Sequence, residues 1–445
     1  MKFDVAIVGA GSAGAVLAAR LSERGDRSVL LLEAGPDHDV AHAPAALRDA
    51  SFLHAVAEPG RTWPNLVARR TLEQGDRRYV RGRGVGGSSA VNAMLALPGE
   101  PDDYDEWEQK YGCAGWGWAA IAPWAARVTT TWSRADASMG GPLTQALMRV
   151  EPTTEWALLT RDAAGRRVST NESHLERARA RPNLTVRGDA LVDRVLLDGH
   201  RAVGVLLVDG TVIEADQVIV SAGAIHSPAI LLRSGVDRPG LGEGLQDHPS
   251  VPLSLRLRDD VPRTTGPAVS SVLRTTFAEH HDLQLLAFDA IDAAQPSAAL
   301  LMGAVMRVHS RGRVRLASSD ATIDPVVDFA MLSDERDLNA LRAVAQMAER
   351  VALSAPIRAV AELLPYDISD DSLRRTVGDY VHAVGTCRMG DPDDPMAVVD
   401  PRCAVIGHEG LMVCDASVMP AVPRANTHMP VVMIAERVAA LLAEA

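Results

Sequence analysis

Gly9, Gly11 and Gly14 stand at the spacing G-x-G-x-x-G, and an acid, Glu33, closes the next apolar run. The chemistry of that pattern is capture of an adenine dinucleotide. The first glycine permits a tight turn, the second lets backbone approach a pyrophosphate, and the third allows close helix–strand contact. A carboxylate at position 33 can accept hydrogen bonds from a ribose diol. Positioning these residues takes a strand, a helix and a second strand. Val5–Val8 reads as a buried parallel strand and Ser12 to about Glu23 as a helix, with its free N–H groups facing the phosphates. Val29–Leu32 reads as the second strand. By itself this unit is compatible with NAD or FAD and says nothing about a reaction.

The chain has 445 residues, beyond the size at which one core stops growing, so two domains are expected. Apolar content of 47% and charged content of 23% are those of an ordinary globular protein. A net charge of −12 argues against nucleic acid, because no basic surplus is available to neutralise phosphates. No run of about 20 apolar residues suggests a membrane span. Cys113, Cys387, Cys403 and Cys414 lack metal-type spacing and are too few for a disulfide framework, which points to a reduced, cytoplasmic protein.

Strand signals return at Leu184–Val186, Leu191–Leu196, Ala202–Val208 and Val218–Ser221, separated by Gly-Asp and Asp-Gly turns. Between about 250 and 330, short alternating stretches such as Val251–Leu257, Leu283–Phe288 and Val314–Leu316 suggest a separate antiparallel sheet. Helices are expected at 334–355 and from Pro430 to Leu442. With no repeat and no low-complexity linker, the two domains should interleave.

A second chemical segment runs from Gly82 to Asp105, GRGVGGSSAVNAMLALPGEPDDYD. Its first eight residues hold four glycines and two serines, a close-approach loop whose amides can meet a cofactor. This segment resembles the first signature of the glucose–methanol–choline (GMC) oxidoreductases. Gly223–Val236, GAIHSPAILLRSGV, is similar to the second signature, although Asp237 stands where glycine is usual. Gly242–Pro249, Ser310–Leu316, His382–Gly390 (HAVGTCRMG) and Asp415–Glu436 (DASVMPAVPRANTHMPVVMIAE) extend the resemblance over nearly the whole chain. The compact members, such as the mycofactocin-linked dehydrogenases, are one subgroup it looks like.

The resemblance implies an α/β fold: a Rossmann-like FAD-binding domain interleaved with an α+β substrate domain on an antiparallel sheet. The FAD domain is expected at 1–110, 181–250 and 381–445, and a shortened cap at 111–180 and 251–380. FAD is expected to be non-covalent, because Val91 occupies the position where some members carry a linking histidine. Ser12 and Ala13 would cover the pyrophosphate, and Glu33 with Ala34 would hold the adenosine ribose. Val85, Asn92, Ala93, Met94 and Leu95 would line the isoalloxazine. Val192 would meet adenine, and Asp415 and Ala416 would close over the phosphate and ribityl region. Ala222, Thr427 and Met429 complete the implied cofactor set.

Alcohol oxidation needs a proton to leave the hydroxyl and a hydride to leave the carbon. Histidine suits the first step because its pKa lies near neutrality. Of thirteen histidines, His382 occupies the family's catalytic position. The second active-site position is assigned to His428 in the NTH triplet, with Asn426 as the competing assignment. On a bland reading Asn426 and Thr427 cap the last helix. His280 and His281 beside Asp282 could suggest a metal, but no ligand set completes them in sequence, and a solvated turn is the reading preferred. His248 reads as structural and Asp391–Asp394 as a solvated loop. No metal site is expected.

The segment Trp118–Leu159 is short for the family, which predicts an open entrance or a pocket completed by a protein partner. With only 4% aromatic residues, an aliphatic, Met-lined pocket is expected. The leading function is oxidation of a small-molecule alcohol, with electrons passed to oxygen, a quinone or another carrier. Two alternatives remain: a lyase or decarboxylase on the same scaffold, or a non-catalytic FAD-binding partner protein.

Overall fold

The computed structural model describes residues 2–128, 132–263, 266–289, 291 and 294–443. The N-terminal unit folds as its pattern dictates. β1 (Lys2–Val8) leads into α1 (Gly14–Leu21) and then β2 (Val29–Leu32), with β1 and β2 paired in parallel from Val5–Val29 to Val8–Leu32. All four residues of β2 are buried, as expected for a parallel strand covered on both faces. α2 (Pro101–Tyr111) and α3 (Trp118–Val128) come next. β3 (Leu184–Arg187), β4 (Val192–Asp198), β5 (Arg201–Leu207) and β6 (Val212–Val220) then complete the path β3-β2-β1-β6-β5-β4.

α4 (Gly223–Arg233) leaves this sheet for a second one, which is wholly antiparallel. Its strands are β7 (Ser250–Leu257), β8 (Ser271–Thr275), β9 (Leu283–Phe288), β10 (Ala298–Val305) and β11 (Ala361–Leu363). Their order is β11-β7-β10-β9-β8, with a short strand Glu155–Trp156 at the outer edge. α5 (Glu335–Ala352) packs across β10, and its buried stripe shares a core with β7 and β9.

The chain then returns to the first sheet. β12 (Leu411–Val413) pairs in parallel with Val218–Val220, on the edge of β6 whose first half is taken by β5. α6 (His428–Ala443) is buried along most of its length and packs on α1 and α3. As a result β1, β2, β6 and β12 all end at one edge of the sheet, where an open α/β fold places its ligand. Gly9, Glu33, Ser221 and Asp415 follow those four strand ends directly or after one residue.

The boundary expected at residue 111 is not where packing partners change. Trp107, Cys113, Trp116, Ile121 and Val128 share one core with β1, β2 and α6, so α2 and α3 belong with the first sheet. Residues 129–131, within the abbreviated segment, lie outside the described residues.

Candidate active site

One cavity of about 450 Å³ runs along the strand ends, a size suited to a bound small molecule. Its first end is built from backbone. A Cβ on Gly14 would lie 1.8 Å from the carbonyl oxygen of Gly9, so glycine is required where α1 crosses the turn. A Cβ on Gly87 would lie 2.7 Å from Gly11 Cα, so the two glycine loops abut. Glu33 ties these loops together. Its Oε2 accepts from the Ala10 amide at 2.9 Å, and its Oε1 accepts from the amides of Gly35 at 2.9 Å and Gly84 at 2.8 Å. Asp415 does similar work across from it, accepting from Gly223 N, Ser227 Oγ and Ser417 N.

Gly9, Gly11, Ser12, Ala13, Glu33, Ala34, Val192, Ala222, Asp415 and Ala416 all line this cavity, as do Asn92, Ala93, Met94, Leu95 and Thr427. Three others do not. Gly14 serves the helix–strand contact. Val85 is buried in the core, with its amide on Pro36 O and its carbonyl accepting from Arg61, so it is not a wall of the cavity. Met429 points into the same core from the first turn of α6. The loops bring backbone amides together around a cradle with no room for side chains, and that cradle fits a dinucleotide such as FAD.

The second end is built from side chains. His382 is partly buried and lines the cavity, with Asn426 Nδ2 3.5 Å from its Nε2. On the other side of the ring, Nδ1 lies 3.0 Å from Nδ1 of His248, a residue with no exposed surface. Nε2 of His248 donates to the carbonyl of Pro423 at 3.1 Å. Burial, then the neighbouring His248 and Arg81, holds His382 well below the usual histidine range. Burial pushes His248 down to about 4. Both rings are therefore neutral at pH 7. Tyr380 stands edge-on to both imidazoles and donates its hydroxyl to Gln284.

His428 is not part of this group. Its Nδ1 lies 3.1 Å from Ser12 Oγ, and its ring tilts against Trp132. Burial, with His174 and Arg167 nearby, lowers it to about 4. Of the two residues weighed as partner of His382, the side chain that faces it is Asn426, while His428 lines the same cavity nearer Ser12. The physical reason is helix geometry: residue 428 starts α6, and its side chain turns back to the first glycine loop. Asn426, in the segment just before that helix, faces His382.

The sequence reading also missed His248 as a neighbour of His382. The QDHP segment singled it out, but nothing local places it against a ring 134 residues later. Glu100 likewise joins His280 and His281. His281 Nδ1 and Arg274 Nη1 each lie 2.8 Å from Glu100 Oε1, so the carboxylate already has a cationic partner and the cluster reads as an ion-paired latch. Among the described residues the four cysteines are free and buried, and no helix is long and apolar enough to cross a membrane.

Comparison with known proteins identifies the family. The GMC oxidoreductase models match residues 3–157 and 156–250 (N-terminal) and 308–435 (C-terminal). The chain is 33% identical to 5-(hydroxymethyl)furfural oxidase of Methylovorus sp. (strain MP688), over 100% of this chain and 99% of that protein. It is 32% identical to the oxygen-dependent choline dehydrogenase of Paraburkholderia xenovorans (strain LB400), covering 98% and 94%. The first alignment spans 538 positions against 445 residues here, in keeping with a shortened member. Among solved structures, pyridoxine 4-oxidase from Mesorbium loti superposes with a TM-score of 0.90 at 27% identity, covering 100% of this chain and 99% of that one. The chain belongs to the GMC oxidoreductase family, and it is an FAD-dependent alcohol oxidoreductase.

Proposed function

We propose that the chain oxidises an uncharged alcohol bearing an apolar or aromatic group, with His382 as base and Asn426 beside it. The observation that carries this reading is the convergence of His382 Nε2 and Asn426 Nδ2 on one wall of the cavity. His382 takes the hydroxyl proton through Nε2, the ring nitrogen on the Asn426 side. Asn426 donates an N–H to the oxygen as it acquires alkoxide character. Non-covalently bound FAD supplies the hydride acceptor, and Val91 in the cavity wall offers no atom for a covalent link.

Two features favour an uncharged, apolar substrate. Tyr380, Leu286, Phe288, Met94 and Leu95 form one apolar cluster beside the imidazoles, with Phe52 and Met302 packed on it. With Phe52, Trp63, Phe288 and Tyr380 in its lining, the cavity is more aromatic than the composition suggested. The acids lining the cavity are all engaged: Glu33 by three amides, Asp415 by Gly223, Ser227 and Ser417, and Asp379 by Arg70. None is left to pair with a quaternary ammonium, unlike what choline, named for one relative, would require. Relatives named as oxidases support oxygen as the acceptor, and four reduced cysteines support a cytoplasmic setting.

Anaerobic stopped-flow reduction of the FAD-loaded enzyme tests the reading. Benzyl and furfuryl alcohols should bleach the flavin and choline should not. Faster reduction by choline would overturn the substrate class. Consumption of a cyanohydrin or carboxylic acid with no bleaching by any alcohol would return the lyase alternative.

A further inference from the structure

We infer that His248 is a positioning residue that fixes the tautomer of His382 and shares the proton His382 takes. The inference rests on His382 being the base. The argument starts at Pro423, whose backbone carbonyl can only accept a hydrogen bond. Nε2 of His248, 3.1 Å away, must therefore carry a hydrogen. Being buried and neutral, His248 has a bare Nδ1. His382 Nδ1, 3.0 Å from that nitrogen, must then be the donor. A neutral imidazole carries one hydrogen, so Nε2 of His382 is left with its lone pair on the cavity side, facing Asn426.

The same chain gives the proton somewhere to go. When Nε2 of His382 takes the hydroxyl proton, the Nδ1 hydrogen can pass to Nδ1 of His248. His382 is then neutral with its hydrogen on Nε2. The positive charge rests on His248, whose Nε2–H still points at the Pro423 carbonyl. One proton enters the pair and one charge appears on it, with no other reactant.

The groups packed around the pair hold this geometry. Asp247 Oδ1 accepts from the amides of His248 and Tyr380, and its Oδ2 accepts from Tyr79 Oη. Tyr79 Oη in turn accepts from the Ala383 amide. Arg81 donates to the carbonyl of Val381, a valine held at φ +55° immediately before the base. A β-branched residue adopts that conformation only when its surroundings impose it. Arg70 pairs with Asp379, and Arg424, next to Pro423, is held by Asp103.

The decisive test is ¹⁵N NMR of the histidine-labelled, FAD-loaded enzyme, which needs no substrate. Hydrogen on Nδ1 of His382 and on Nε2 of His248 is expected; hydrogen on Nε2 of His382 in the resting enzyme overturns the inference. Kinetics provide the second readout, with benzyl alcohol as the probe. His248→Leu should slow flavin reduction roughly 10²-fold while the substrate dissociation constant holds within about twofold. In His248→Asn an amide oxygen can accept from His382 and an N–H can reach Pro423, so about tenfold or less should be lost. Equal losses in both variants, or a wild-type rate in His248→Leu, would count against it. If benzyl alcohol fails with the wild type, the substrate reading falls while the NMR result stands.

Discussion

The two ends of the cavity are built in opposite ways. At the adenosine end the working groups are backbone amides, held by glycines too tightly packed for a Cβ and laced together by the Glu33 carboxylate. At the end proposed to react they are side chains: His382, His248 and Asn426, drawn from three separate segments of the chain. A backbone cradle recognises what all adenine dinucleotides share and tolerates little change. A side-chain pocket sets protonation and shape, and it can vary with substrate. The two ends should therefore fail differently when altered, one in binding and stability, the other in rate.

The largest expected effect lies at the reacting end. His382→Ala should retain FAD yet reduce flavin about 10²–10⁴-fold more slowly, read by anaerobic stopped-flow. Loss of bound flavin with an unchanged rate per bound flavin would erase the contrast between the ends.

Asn426 and His428 sharpen it, because they lie two residues apart and serve different ends. Asn426→Ala should cost about 10²-fold in flavin reduction through a lost oxyanion donor. His428→Ala should leave that rate within about threefold, since the ring contacts Ser12 and not His382; weaker FAD retention on gel filtration is the expected loss. The reverse pattern would restore His428 to the base.

At the first end, Glu33→Ala should strand three buried amides, each worth about 1–3 kcal/mol. The expected result is a melting temperature lowered even without FAD, and FAD lost on dilution. A variant that loses only FAD affinity would reduce Glu33 to a ribose ligand.

Acid should separate the ends next. His248 and His428 are lowered to about 4 in the fold from an ordinary value of 6.5. Between those values the unfolded chain binds more protons, so their contribution is fully present above 6.5 and is lost as pH falls towards 4. His382 acts in the same direction. Asp247, raised to about 7 by burial and then Asp379, acts the other way over part of the same range, but the histidines outnumber it. Melting temperature should fall on acidification from pH 7 to 4.5, and His248→Asn or His428→Gln should each flatten the curve. A flat wild-type curve would contradict the buried, neutral state of these rings.

The smallest effect is expected at Val381. Glycine there relieves about 1 kcal/mol of left-handed strain, so Val381→Gly should melt slightly higher while flavin reduction slows a few-fold as the loop loosens. A faster reaction would mean that the strain does not serve to aim His382.

Much of the adenosine end was legible because its logic is local. Strand, glycine turn, helix and second strand follow one another in 30-odd residues, and each is imposed by periodicity or by a missing side chain. The strands of the second sheet were legible too where alternation is clean, as in Ser250–Leu257. β12 was not, since three residues carry no period and their pairing with Val218–Val220 is decided by what else lies at that edge. Placing α3 with the cap failed for a related reason: its apolar stripe says that it packs, not that α6 is what it packs on.

By itself, then, the chain determined the dinucleotide unit, the antiparallel second sheet and His382 as the base to test. The first two follow from covalent neighbours and short-range sterics, and His382 from the resemblance of its segment to the family's catalytic one. Only the tertiary structure put Asn426 rather than His428 against His382, left Val85 and Met429 in the core, and set His248 behind the His382 ring. The contacts of Asn426, His248 and His428 join residues 44, 134 and 416 apart, and they turn on the directions of side chains. A direction in space is settled by how the layers pack, and no spacing along the chain records it.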